Sequence, residues 1–125
     1  MPEMLMVSSG PKLFPAFESA LEKYDFQINR VKSGEEAEAL TSRSSPDLVV
    51  IDGDLADMTG FECARMLIRV NAMVNCAVIS GDSPDAFHEA GEGLGILMQL
   101  PPAPGAADAE ELIACYTKIR KPLIS

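Results

Sequence analysis

Residues 48–51 read Leu-Val-Val-Ile, an unbroken apolar run that ends at Asp52, with Asp54 two positions later. Four successive apolar residues without alternation suit a strand buried on both faces, and such strands belong to parallel sheets covered by helices. Closing the run with an acid puts a carboxylate at the carboxyl end of a central strand. That is where open α/β sheets place ligands and chemistry.

The rest of the chain can be arranged around such a strand. Short apolar runs recur at 4–7, 76–79 and 96–100. Residues 26–31 alternate instead, apolar Phe26 and Ile28 with polar Gln27 and Asn29, as expected near a sheet edge. Between the runs lie helical patterns. Pro11 suits a first helical turn, and Leu13, Phe17, Ala20, Leu21 and Tyr24 then recur on one face. Ser33 with Glu36, and Thr59 with Glu62, have the spacing of capping boxes. Ser83-Pro84 opens a fourth helix through about Ala90, and Asp108 with Glu111 opens a last one carrying Leu112, Ile113, Tyr116 and Ile119. Gly91, Gly93 and Gly95 run into a strand rather than opening a helix, so they do not form a phosphate cradle. Five strands alternating with five helices over short connections predict right-handed crossovers and a parallel sheet with helices on both faces.

The length of 125 residues suits one domain spanning 1–125. A formal charge of −9 argues against nucleic acid or an anionic membrane surface as the direct partner. Cys63, Cys76 and Cys115 are far apart with no C-x-x-C, which reads as three reduced thiols, and the single histidine, His88, offers no metal cluster. No apolar run approaches a bilayer span and no signal peptide precedes the first strand, so a cytoplasmic chain is expected.

SGEEAEAL from Ser33 and SPDLVVIDGDLADMTGFE from Ser45 are close to the middle third of a known family. Together with the five βα units, they make the whole chain resemble the receiver domain of bacterial response regulators. The resemblance implies a flavodoxin-like, doubly wound five-stranded parallel sheet of order 2-1-3-4-5 with five helices. It implies two-component, phosphorelay signalling, in which a histidine kinase donates a phosphoryl group to Asp52. It also implies an output surface on the fourth helix, fifth strand and last helix, here containing Ala86, Phe87, Met98 and Tyr116. Partners would be a histidine kinase or another signalling protein, with a homodimer left open.

Around Asp52 the sequence departs from that family. Phosphoryl transfer rests on positioning and charge neutralisation, and Mg²⁺ asks for hard oxygen ligands. Ser8-Ser9 replaces the family's acidic pair after the first strand. Asp54 occupies the position whose backbone carbonyl binds the metal, so Asp52 and Asp54 are metal ligands only if Mg²⁺ binds at all. Ser80 keeps the family's hydroxyl and is followed by the small Gly81. Pro101 replaces the lysine that would pair with phosphoryl oxygens; Pro102 matches the family's proline, with a candidate cis bond before it. Met98 stands for the aromatic switch residue and Ala56 for the loop proline. Lys12 is a conceivable replacement cation, though a solvated surface lysine is the simpler reading.

The expectation is therefore a pseudo-receiver, non-enzymatic and acting by protein–protein interaction with weak or no phosphorylation. No cofactor is assigned. A phosphorylation-competent regulator using Asp52 and Mg²⁺ is the alternative. A minor alternative is a haloacid-dehalogenase-type phosphatase, from the D-x-D of Asp52 and Asp54. It is opposed by the motif's late place in the chain and by too few downstream residues for the later motifs. An isolated domain and one excised from a longer regulator or hybrid kinase read alike.

Overall fold

A computed structural model describes residues 3–8, 15–24 and 26–120. Its elements alternate as β1 (Glu3–Val7), α1 (Pro15–Glu22), β2 (Gln27–Val31), α2 (Gly34–Ser44), β3 (Leu48–Asp52), α3 (Gly60–Val70), β4 (Asn75–Ile79), α4 (Pro84–Ala90), β5 (Met98–Leu100) and α5 (Ala106–Arg120). The strands form one sheet in the order β2-β1-β3-β4-β5, and each neighbouring pair is parallel. This is the flavodoxin-like arrangement expected from the sequence.

Strand periodicity divides the core in two. Met4, Met6, Leu48, Val50, Ala77 and Ile79 point to the layer of α1 and α5, where they meet Phe17, Leu21 and Leu112. Leu5, Val7, Val49, Ile51 and Val78 point to the other layer, against Ala37, Cys63, Ala64 and Leu67 of α2 and α3. All five residues of β3 are buried, which is the condition its unbroken apolar run implied. β2 is exposed or half-buried along its length, as an edge strand should be, and Arg30 on it pairs with Glu18 of α1.

The helix starts follow the sequence with two adjustments. Thr59 and Glu62 form a full reciprocal box, Glu62 N donating to Thr59 Oγ1 at 3.2 Å and Thr59 N donating to Glu62 Oε1 at 2.9 Å. Ser33 caps α2 by accepting from Glu36 N, but the Glu36 carboxylate accepts from Lys32 N, one residue before the expected partner. α5 begins at Ala106, and Asp108 accepts from Gly105 N at 2.8 Å instead of acting as the cap itself.

Other differences are local. Tyr24 follows the end of α1, in a turn where its N–H donates to the Leu21 carbonyl, and is 42% exposed rather than part of the buried stripe. β5 is three residues long, shorter than the apolar run at 96–100. No cis peptide bond occurs among the described residues, so the bond before Pro102 is trans. Pro11, Lys12 and Leu13 lie outside the described residues.

The cysteines differ in environment. Burial pushes the Cys63 and Cys76 thiols up to about 12, while Cys115 is only half-buried. Thiolate is the reactive form. A thiol reagent at neutral pH is therefore expected to modify Cys115 in the native protein, and Cys63 and Cys76 only once denaturant opens the core. Peptide mass mapping against denaturant concentration checks this.

Candidate functional site

The registers explain why the chemistry-bearing residues converge. Val7 pairs with Ile51, Asp52 with Ile79, and Ile79 with Leu100. The residues that follow these partners, Ser8, Ser80 and Pro101, therefore leave the sheet at one edge together with Asp52. A cleft of about 370 Å³ opens there, lined by Asp52, Gly53, Asp54, Ser80, Gly81 and Pro102 among others. Asp52 forms part of the cleft wall while only 6% exposed. Ser8 donates its hydroxyl to Asp52 Oδ2 at 3.3 Å.

Two glycines set the shape of this mouth. A Cβ on Gly53 would lie 2.5 Å from the Ile79 carbonyl oxygen, and one on Gly60 would lie 2.7 Å from that of Asp52. The obstructing atoms are backbone, so neither can turn aside. The loop between β3 and α3 closes through Leu55 N to the Met58 carbonyl and Gly60 N to the Gly53 carbonyl.

On the far wall, Ser80 Oγ accepts from Asp82 N at 3.1 Å. Its hydroxyl proton is still available to donate. Gln99 on β5 fastens the same turn, its Nε2 donating to the carbonyls of Ser80 at 3.1 Å and Asp82 at 2.8 Å.

A tie that sequence inspection missed runs from this loop to α2. The Asp57 carboxylate accepts from Gly34 N at 3.0 Å and Glu35 N at 3.1 Å, satisfying two donors of the first helical turn. The Gly34 bond is the leading cause that holds the Asp57 carboxyl below its ordinary 3.8. A folded value below the unfolded one means the ionised group adds stability above the ordinary carboxylate range. That contribution is lost as pH falls through the folded value. Asp57→Ala is accordingly expected to be less stable than the parent at neutral pH, with the gap narrowing in acid. Urea unfolding over a pH series reads this.

The sequence-derived candidates thus divide. Asp52, Asp54, Ser80, Gly81 and Pro102 line one cleft, and Ser8 touches its central carboxylate. Ser9 lies outside the described residues. Pro101 is exposed and is not part of the lining. Of the output-face candidates, Phe87 and Met98 line a second cleft between α4 and β5, and Ala86 is exposed nearby. Tyr116 does not join them. It is 5% exposed in the α1–α5 layer, edge-on to Phe26 with ring centroids 5.6 Å apart. Its spacing from Leu112 and Ile113 makes it a core residue.

Among the described residues, the donor set does not fit the divalent cation that the family resemblance implies. Among the described residues, no group of three or more His, Cys, Asp or Glu is placed to hold a metal ion. Where the family has its acidic pair, Ser8 offers a neutral hydroxyl whose hydrogen points to Asp52. Asp54 is exposed to water.

Comparison with known proteins agrees with the fold. The family model for the response regulator receiver domain matches residues 4–100. A protein-glutamate methylesterase/protein-glutamine glutaminase of Methanospirillum hungatei is 30% identical over 118 residues, covering 89% of this chain and 33% of that protein. The chain spans about a third of the length of the curated relatives it matches. The non-phosphorylated receiver domain of HemR from Leptospira biflexa superimposes with a TM-score of 0.80 at 22% identity, covering 98% of each chain. A chemotaxis response regulator of Vibrio cholerae gives 0.80 at 15% identity, covering 93% of this chain and 98% of that one. No helix among the described residues is long and apolar enough to cross a membrane. With a family model spanning most of the chain, and a strand order and strand-end aspartate to match, the chain belongs to the response regulator receiver domain family of two-component signalling.

Proposed function

We propose that this receiver domain is a pseudo-receiver, a cytoplasmic interaction module that regulates a signalling partner with weak or no phosphorylation of Asp52. The observation that carries this reading is the pairing of Asp52 with Ser8. A neutral hydroxyl donates to the carboxylate where the family has acids to gather a cation. Pro101 compounds the loss, since the family's lysine stands at that position. A phosphoryl group on Asp52 would add negative charge to a cleft already lined by Asp54 and Asp82. Like charges sharing one cleft oppose one another unless a cation intervenes. The module binds rather than catalyses, and it works as one folded unit, alone or within a longer regulator.

Intact-mass analysis after incubation with a small-molecule phosphodonor and Mg²⁺ tests the reading. The expected spectrum is that of the unmodified chain. A phosphoryl adduct that disappears in Asp52→Asn would establish the competent regulator in its place.

A further inference from the structure

The outer side of α3 and the turn that follows it combine exposed apolar side chains with unopposed positive charge. Val70 and Met73 are two of the three large hydrophobic residues exposed among the described ones, and Met73 is 83% exposed. Met66, half-buried, stands one turn before Val70 on the same side of the helix. The turn that carries Met73 is fixed, since Met73 N donates to Asn71 Oδ1 at 3.0 Å and Val74 N to the Asn71 carbonyl at 3.1 Å. Arg65 and Arg69, also four apart, are exposed beside these residues. Residues 63–81 contain these two arginines and no acid, in a chain whose formal charge is −9.

The neighbouring elements carry their acids elsewhere. α2 and α3 pack on the same side of the sheet and run alike, so their last turns, with Arg43 and Arg69, lie at one end of that layer. Glu35 and Glu36 are in the first turn of α2, and Glu38 follows midway. Glu62 stands at the start of α3, held in its capping box. α4 meets α3 at Phe61, again near the start of the helix, through Phe87 and Gly91. Asp47 turns toward β1, where it accepts from Glu3 N at 2.9 Å. The partial charge of about −0.5 at the end of α3 is small beside two guanidiniums.

We infer that the outer face of α3, from Arg65 to Met73, docks an acidic, amphipathic helix of another protein. Its apolar side chains cover Met66, Val70 and Met73, and its glutamates or aspartates meet Arg65 and Arg69. Two methionines suit such a contact, because their unbranched side chains adapt to the shape laid on them. This rests on the reading of the domain as an interaction module and adds the chemistry of the partner. Charge complementarity decides the occupant. A second copy docked through the same face would set these arginines against their own counterparts, and like charges in apposition select against wrong partners. An extended anionic bilayer meets the field of the whole chain, whose −9 formal charge repels it. A single acidic helix is small enough to meet only the local, positive face.

The test titrates the isotope-labelled domain with two synthetic peptides of equal length. Both carry leucines at helical spacing, one with glutamate and the other with lysine at the remaining positions. Amide shifts centred on residues 65–74 are expected with the glutamate peptide only, weakening as salt rises. Arg65→Gln combined with Arg69→Gln alters exposed positions, so its urea midpoint should hold while affinity for the glutamate peptide falls about tenfold. Met73→Ser should also lower that affinity but leave its salt dependence in place. Three results would overturn the inference: no binding by the glutamate peptide, equal shifts at residues 65–74 with the lysine peptide, or glutamate-peptide shifts centred on another face. A concentration-dependent dimer that shifts residues 65–74 without peptide would overturn it in favour of self-association. Sedimentation of the domain with anionic phospholipid vesicles, abolished by the double arginine variant, would overturn it in favour of a membrane. A phosphoryl adduct on Asp52 with unaltered binding of the glutamate peptide would remove the pseudo-receiver reading and leave this one standing.

Discussion

Ser8→Asp, Ser9→Asp and Pro101→Lys, introduced together, are expected to give a chain that binds Mg²⁺ and accepts a phosphoryl group on Asp52. The parent should do neither at measurable levels. The physical reason is charge. Two unit charges 4 Å apart interact by about 4 kcal/mol at an effective dielectric near 20, and a divalent ion meets each added carboxylate with twice that attraction before desolvation is subtracted. Even a small surplus suffices: a hundredfold gain in Mg²⁺ affinity requires only about 2.7 kcal/mol. The scaffold already places position 8. Val7 pairs with Ile51, so a side chain at position 8 lies beside Asp52, and Ser8 proves that reach by touching it at 3.3 Å. Calorimetric titration with Mg²⁺ measures the first effect and intact mass the second. The Ser8→Asp, Ser9→Asp pair without Pro101→Lys should recover metal binding ahead of phosphorylation. If the triple variant shows no Mg²⁺ affinity beyond the parent, missing charge is not what separates this cleft from an active one.

The second large effect is steric. Gly60→Ala is expected to destabilise the domain by about 3 kcal/mol, the upper end of the range for overpacking an interior. The added methyl would lie 2.7 Å from the Asp52 carbonyl oxygen and 3.1 Å from both Gly53 Cα and Val78 Cγ1. Two of these atoms are backbone, so relief requires moving the start of α3 away from the end of β3. The better helix propensity of alanine offsets less than about 1 kcal/mol of this. Gly81→Ala is the matched control. Its methyl would meet Pro102 Cγ at an ordinary 3.4 Å, and a change within about 0.5 kcal/mol is expected. Urea unfolding of both variants checks the pair. Equal stability would mean that α3 docks more loosely than the geometry implies.

The fold could be read from the sequence because its signals are local. An unbroken apolar run, a capping pair and a Ser-Pro start each fit within a few residues, and together they fix the alternation of strands and helices. Asp52 was legible for the same reason, since an acid closing a buried run has few other places to lie. What escaped notice depends on distant partners. Asp57 looks like an ordinary loop acid until Gly34 and Glu35, more than twenty positions earlier, supply its donors. Gln99 reads as a strand residue, yet its amide fastens the turn after β4. Tyr24 shows the opposite error. The helical spacing continues through it, but the helix ends at Glu22 and the ring turns to solvent. Tyr116 was legible twice with conflicting meanings. Its spacing from Leu112 and Ile113 gave the buried position it occupies, whereas family likeness had suggested a surface one.

The place of β1 in the sheet has a consequence for biosynthesis. β1 is made first but lies second in space, between β2 and β3. β2 follows closely in the chain and can join it early. The other edge must wait, because Met4 pairs with Leu48 and Val7 with Ile51. Until about residue 52 has cleared the ribosome, β1 therefore has one exposed flank with apolar side chains above and below it. Closing a loop that long costs entropy before any contact repays it, so β1 pairs with β3 later than with β2. The same event brings Ser8 against Asp52, and the far wall of the cleft, with Ser80 and Gly81, follows when β4 docks on β3.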